Sequence, residues 1–262
     1  MTNTNTNFII LIGGPGLFKG CDKAHDQTWT NYIVPVQLAA KRDLYSKGAN
    51  EKVHWVVYEP PYKNRWFDDS VISKKEKQQD DGYNLHSIRK TATDRVKARQ
   101  AKNYLHRFQQ IANELNITYH GISKPSEFWD YLAKMKDKSI SRVWYSGHAS
   151  ATSLMLGLMH NSSCKAAAMN KDRIFVTQIS SYKNLAGKFI TPGKLSKFYG
   201  CNTAEFAKEW KKVFKVNAAG AHGTIDFGVV DKPSAIADVL SRIENSIPGV
   251  GEPGGPAGWT NY

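Results

Sequence analysis

Cysteine is scarce in this chain. Cys21, Cys164 and Cys201 are the three among 262 residues. They are too few and too scattered for a disulfide framework, and they lack the Cys-x-x-Cys spacing of a zinc site. Long apolar runs are lacking as well. Phe8 to Ile12 spans five residues before Gly13-Gly14-Pro15-Gly16, whereas a membrane-spanning helix needs about 18 to 20, so no membrane span is expected. Met1 to Asn7 is Thr/Asn-rich with no basic residue ahead of that run, so it does not read as a cleaved signal peptide. These absences point to a reducing compartment: a cytoplasmic protein, or one secreted without a cleaved signal. Acidic residues are also in deficit, with 23 Asp and Glu against 36 Lys and Arg, a net charge of +13. That balance favours anionic partners and says nothing about fold.

What is present is ordinary for a globular protein. Apolar residues make up 41% and charged residues 23%, which excludes wholesale disorder, collagen-like repeats and a membrane bundle. The length suffices for a sizeable core. No linker divides the chain, so a single domain over residues 1–246 is expected, followed by an irregular Gly/Pro-rich tail, 247–262.

Hydrophobic patterning predicts alternating strands and helices. Phe8 to Ile12, Lys52 to Glu59, Ile117 to Ile122, Ser141 to Tyr145, Arg173 to Ile179, Lys194 to Tyr199 and Val216 to Gly228 read as strands. Tyr32 to Tyr45, Ser87 to Leu115, Pro125 to Met135, Thr203 to Phe214 and Ser234 to Ile243 read as helices. Lys63 to Tyr83, polar and charged, reads as a loop. The alternation implies an α/β fold, a mostly parallel central sheet with helices on both faces.

In such sheets reactive groups gather beyond the carboxyl ends of the strands. Two strand ends carry them: Val143-Trp-Tyr-Ser-Gly-His148-Ala-Ser150 and Phe198-Tyr-Gly-Cys201-Asn-Thr-Ala204. If the two strands are neighbours, His148 and Cys201 meet at one rim. An imidazole beside a thiol assists formation of the nucleophilic thiolate. Cys201 also precedes the helix predicted over 203–214, whose N-terminal dipole favours a thiolate. Backbone amides after Gly147 and around Cys201 are candidates for holding an oxyanion. The small residues Gly147, Ala149 and Gly200 let a substrate backbone come close. Cys164, beside Ser162-Ser163, reads as an ordinary small residue.

A strand ending in Ser-Gly-His, followed 53 residues later by a strand ending in Gly-Cys, resembles the caspase-like (clan CD) cysteine peptidases. That group includes caspases, metacaspases, gingipains, separases and CHAT-domain proteases. Phe198-Tyr-Gly-Cys-Asn-Thr-Ala204 is most similar to bacterial CHAT-type and toxin-associated members. The resemblance spans about 8–230, its specific part being the two short motifs. It implies a caspase-like three-layer sandwich, with a helix and then a strand after the Cys. It further implies a cysteine endopeptidase with Cys201 as nucleophile and His148 as general acid and base. No metal or cofactor is needed for that chemistry. The partners implied are a protein or peptide substrate and, for a bacterial effector toxin, an immunity or delivery protein. The family usually carries Gly after the His; Ala149 stands there instead. Substrate pockets in the group draw on the loop after the first strand, where Asp22 and Asp26 would favour a basic residue, although two solvated loop carboxylates are the plainer reading.

Two other readings stay open. One is a catalytically inactive caspase-fold binding module using a basic surface. The other is a serine α/β-hydrolase with Ser150, His222 and Asp226, although Gly-x-Ser-x-Gly is absent around Ser150. Gly13-Gly14-Pro15-Gly16 lacks the Lys-Ser/Thr of a P-loop, and Cys21, Asp22, His25 and Asp26 lack further metal ligands at known spacing. Basic stretches at Lys63 to Lys102 and Lys208 to Lys215 come with no nucleic-acid motif, so nucleic acid is not an expected partner.

Overall fold

The computed structural model describes residues 5–14, 16–17, 50–63, 104–160, 166–167, 170–223 and 258–262. Strands in chain order are β1 (Thr6–Ile12), β2 (Gly16–Leu17), β3 (Glu51–Tyr58), β4 (Thr118–Ile122), β5 (Ile140–Ser146), β6 (His148–Ser150), β7 (Ser153–Met155), β8 (Leu158–His160), β9 (Ala166–Ala167), β10 (Arg173–Phe175), β11 (Ser196–Tyr199), β12 (Ala218–His222) and β13 (Gly258–Asn261). Helices are α1 (Tyr104–Glu114), α2 (Pro125–Ala133) and α3 (Ala204–Phe214), with a 3-10 segment at Val176–Lys188.

Seven strands form one sheet in the order β13-β12-β11-β5-β1-β3-β4. The six from β12 to β4 run parallel, and β13 is antiparallel to β12. The chain enters at β1, in the interior of the sheet, moves outward through β3 and β4, then returns to lay β5 on the other side of β1. β1 and β5 therefore flank a topological switch point, and loops leaving their carboxyl ends diverge there.

β1 shows why the sheet is buried on both sides. Phe8, Ile10 and Ile12 pack into one apolar layer and Ile9 and Leu11 into the other, as two-residue alternation requires. On the first side α1 contributes Tyr104, Phe108, Ile111 and Ala112. On the second, α2 contributes Phe128, Trp129 and Leu132, and α3 contributes Phe206, Ala207, Trp210 and Phe214. Trp210 lies at the centre of an aromatic group, with ring centroids 4.5 Å from Phe214 and 5.2 Å from Phe198. The described residues are thus α/β, with helices on both faces of a mostly parallel sheet, as the patterning predicts.

Two local expectations fail. The run from Arg173 to Ile179 is a strand only as far as Phe175; a 3-10 helix begins at Val176. Val176, Ile179, Tyr182 and Leu185 pack on the core three residues apart, the eclipsed spacing of a 3-10 helix, and a short apolar run does not tell that from a strand. The C-terminal tail is not irregular to its end. Gly258–Asn261 forms β13, and Tyr262 and Ala218 exchange backbone hydrogen bonds of 2.8 and 3.3 Å. The glycines and prolines that precede it mask four residues of a different character. The helices expected over 32–45 and 234–243, all but Lys63 of the loop expected over 63–83, and the first part of the helix expected over 87–115 lie outside the described residues.

A buried histidine gives the fold a pH dependence. Burial, with the charge of Lys52 second, lowers the His54 pKa to about 4. Its hydrogen bonds suit a neutral ring: Nδ1 takes the Tyr131 hydroxyl at 2.7 Å and Nε2 lies 2.8 Å from Asn7 Oδ1. The unfolded ring binds its proton near pH 6.5. The folded state rejects that proton until about pH 4, so the contribution is complete above pH 6.5 and is lost as pH falls toward 4. Discounting for partial screening, the loss is about 2 kcal/mol. Urea unfolding at pH 7.5 and at pH 4.5 should show it, and His54→Leu should shrink the difference between the two; an undiminished difference would exclude His54 as its source.

Candidate active site

β1, β5 and β11 end at one level. Ile12 pairs with Ser146, and Ser146 pairs with Tyr199. The Gly13 amide donates to Ser146 O at 3.0 Å, and the Gly147 amide donates to Tyr199 O at 3.1 Å. His148 lies two residues beyond Ser146 and Cys201 two residues beyond Tyr199. The two side chains expected to react therefore leave adjacent parallel strands from partnered positions, a strand spacing of about 4.8 Å apart at their origin.

The two turns also touch. A Cβ on Gly200 would lie 2.6 Å from the Ala149 methyl and 2.8 Å from Gly147 O. Only glycine fits there, and the Ala149 methyl fills the space that Gly200 leaves open. Ala149 after His148 is thus matched by the glycine before Cys201. The amides of Gly147 and Gly200 are engaged, the latter donating to Phe198 O at 3.1 Å. Both glycines serve close approach of the backbone.

The turn that carries Cys201 is fixed from below. Asn202 adopts a left-handed φ of 58°, which Asn tolerates better than most residues. Its amide donates to Gly223 O at 2.8 Å and its Oδ1 accepts the Gly223 amide at 3.0 Å. Thr203 is fully buried. Its hydroxyl lies 2.6 Å from Phe198 O and accepts the Ala221 amide at 3.0 Å. α3 starts at the next residue, so Cys201 stands half-buried just ahead of a helix N-terminus.

His148 is half-buried and begins β6, which pairs with β7. The phenol of Tyr145 lies under this hairpin, its oxygen 2.5 Å from His148 O and 3.0 Å from Met155 O. Burial first, then the charge of Cys201, raises the Tyr145 pKa well above its usual value. Asn202, Thr203 and Tyr145 were not singled out by sequence reasoning. A helix-starting Thr and an Asn in a turn were visible signals; Tyr145 looks like any strand aromatic.

Other residues fare differently. Ser150 is on β6, its hydroxyl 3.1 Å from Ser153 Oγ and 3.3 Å from Thr152 Oγ1 across the hairpin, and not on a strand-to-helix turn. His222 ends β12 and is exposed. Asp22, Asp26, Cys21, His25, Cys164 and Asp226 lie outside the described residues. Among the described residues no three His, Cys, Asp or Glu are grouped to hold a metal, and no helix is long and apolar enough to cross a membrane. No protein-family model matches the chain, and neither does any curated protein.

Proposed function

We propose that the chain is a caspase-like cysteine endopeptidase working through Cys201 and His148. The observation that carries this reading is the Ser146–Tyr199 pairing, which starts the His148 and Cys201 turns side by side at the carboxyl rim of the sheet. The order of elements supports it: α3 and then β12 follow the cysteine, as the resemblance implies.

In the mechanism, the Cys201 thiolate attacks the substrate carbonyl carbon and a C–S bond forms. The C–N bond breaks as protonated His148 gives its proton to the leaving amine. Water then attacks the thioester while His148 takes its proton, the C–S bond breaks, and a carboxylic acid leaves as the Cys201 thiolate and protonated His148 are restored. The oxyanion is assigned to the amides of Ala149 and Cys201. Ser150 and Ser153 close a two-residue turn, so alternation along an antiparallel pair leaves the Ala149 amide outside the β6–β7 ladder. The substrate is a protein or peptide. The resemblance to toxin-associated members extends the proposal to a bacterial effector with an immunity or delivery partner.

A pair of class-selective probes tests the reading. A peptidyl acyloxymethyl ketone should modify Cys201 far faster than Cys164 or Cys21, and a fluorophosphonate should leave Ser150 unmodified. Equal labelling of all three cysteines would favour a non-catalytic binding module, and phosphonylation of Ser150 a serine hydrolase.

A further inference from the structure

Tyr145 is completely buried at the carboxyl end of β5, between the glycines that let the two reactive turns meet. A Cβ on Gly147 would lie 2.5 Å from its oxygen, and one on Gly13 would lie 3.1 Å from it. A Cβ on Gly200 would lie 3.3 Å from its ring. The aromatic ring therefore forms a floor beneath three strand ends, those of β1, β5 and β11. Its single proton is shared between two carbonyls, those of His148 and Met155, which face each other across the β6–β7 hairpin. Burial raises the phenol's pKa, which keeps the proton it donates to these carbonyls.

A core tyrosine could have satisfied its hydroxyl on any nearby carbonyl. This one bonds the backbone of the residue that bears the imidazole, and its ring lies against Gly200, the residue before Cys201. We propose that Tyr145 is a positioning residue: its hydroxyl fixes the backbone of His148 and so sets the imidazole against the Cys201 thiol. The inference rests on the Cys201–His148 chemistry proposed above and adds to it the part that aligns the pair. Loss of the hydroxyl leaves the ring, and with it the floor, in place. What is lost is the tether of His148.

The test reads the thiol directly and needs no substrate. The rate of Cys201 alkylation by iodoacetamide is followed from pH 5 to 10 by peptide mapping. In the native protein the reaction should persist well below pH 8.5, where an ordinary thiol titrates. His148→Ala should move the profile up toward that value. Tyr145→Phe should move it in the same direction, with about a tenfold slower reaction at pH 6.5, and His148→Ala/Tyr145→Phe should react as His148→Ala alone. On a cleaved peptide, Tyr145→Phe should lower kcat with KM unmoved. A 4-aminophenylalanine at 145 keeps a donor at the same point and should retain the native profile; it also serves if the Phe form fails to fold. A native profile in Tyr145→Phe while His148→Ala shifts it overturns the positioning role alone. So does a profile in the 4-aminophenylalanine form that has collapsed to that of His148→Ala. A profile indifferent to His148→Ala overturns the pairing of thiol and imidazole, and the positioning role with it.

Discussion

Cys201→Ala is expected to lower peptide cleavage by about 10⁴-fold or more, because the proposed acyl intermediate forms on Cys201, the one cysteine among the described residues. His148→Ala should cost about 10²- to 10⁴-fold, the usual worth of a positioned acid–base group. Neither change should unfold the protein. Both side chains are half-buried at the ends of strands, and the turn beneath Cys201 is fixed by Asn202 and Thr203. The measurement is cleavage of an unstructured protein substrate, with far-UV circular dichroism of each variant as the control. Full proteolysis by either well-folded variant would remove that residue from the mechanism.

The second large effect lies at the opposite end of the sheet. Glu51 opens β3 with its side chain 1% exposed. It accepts Arg142 Nη2 at 2.8 Å, Lys194 Nζ at 3.0 Å and the Ser141 hydroxyl. Arg142 is itself buried, its guanidinium 3.9 Å above the Phe8 ring. Removing the carboxylate takes from the buried Arg142 the anion that balances its charge, and that cost exceeds the net worth of the pair. Glu51→Ala should therefore destabilise the protein by about 3 to 5 kcal/mol, read from urea unfolding at pH 7.5. A loss under about 1 kcal/mol would mean that Arg142 finds water or another partner. Since Glu51 sits at the amino ends of the strands, the folded fraction of the variant should retain the native reactivity of Cys201.

Much of this architecture could be read from patterning because the sheet is buried on both sides. Continuous β-branched runs such as Phe8 to Ile12 have few alternatives to a central parallel strand. The stripe of Phe206, Ala207, Trp210 and Phe214 has few alternatives to one buried helix face. The adjacency of the His148 and Cys201 turns could be read for a related reason: glycine and alanine beside these two residues mark places where backbones crowd. What stayed hidden depends on tertiary partners. Val176 to Leu185 carries a three-residue spacing short enough to pass for a strand. Gly258–Asn261 forms a strand by pairing antiparallel with β12. The clamp at Tyr145 depends on which carbonyls the hairpin turns toward it, and no one-dimensional pattern records that.

The most direct test of the central claim is to catch the acyl intermediate. The protein is mixed with an activated peptidyl ester, quenched in acid within the first turnover, and mapped by mass spectrometry. The account predicts the peptidyl group on Cys201 in a hydroxylamine-sensitive thioester, and no such adduct in Cys201→Ala. Turnover with the acyl group on Ser150, or with Cys201 never acylated, would contradict it.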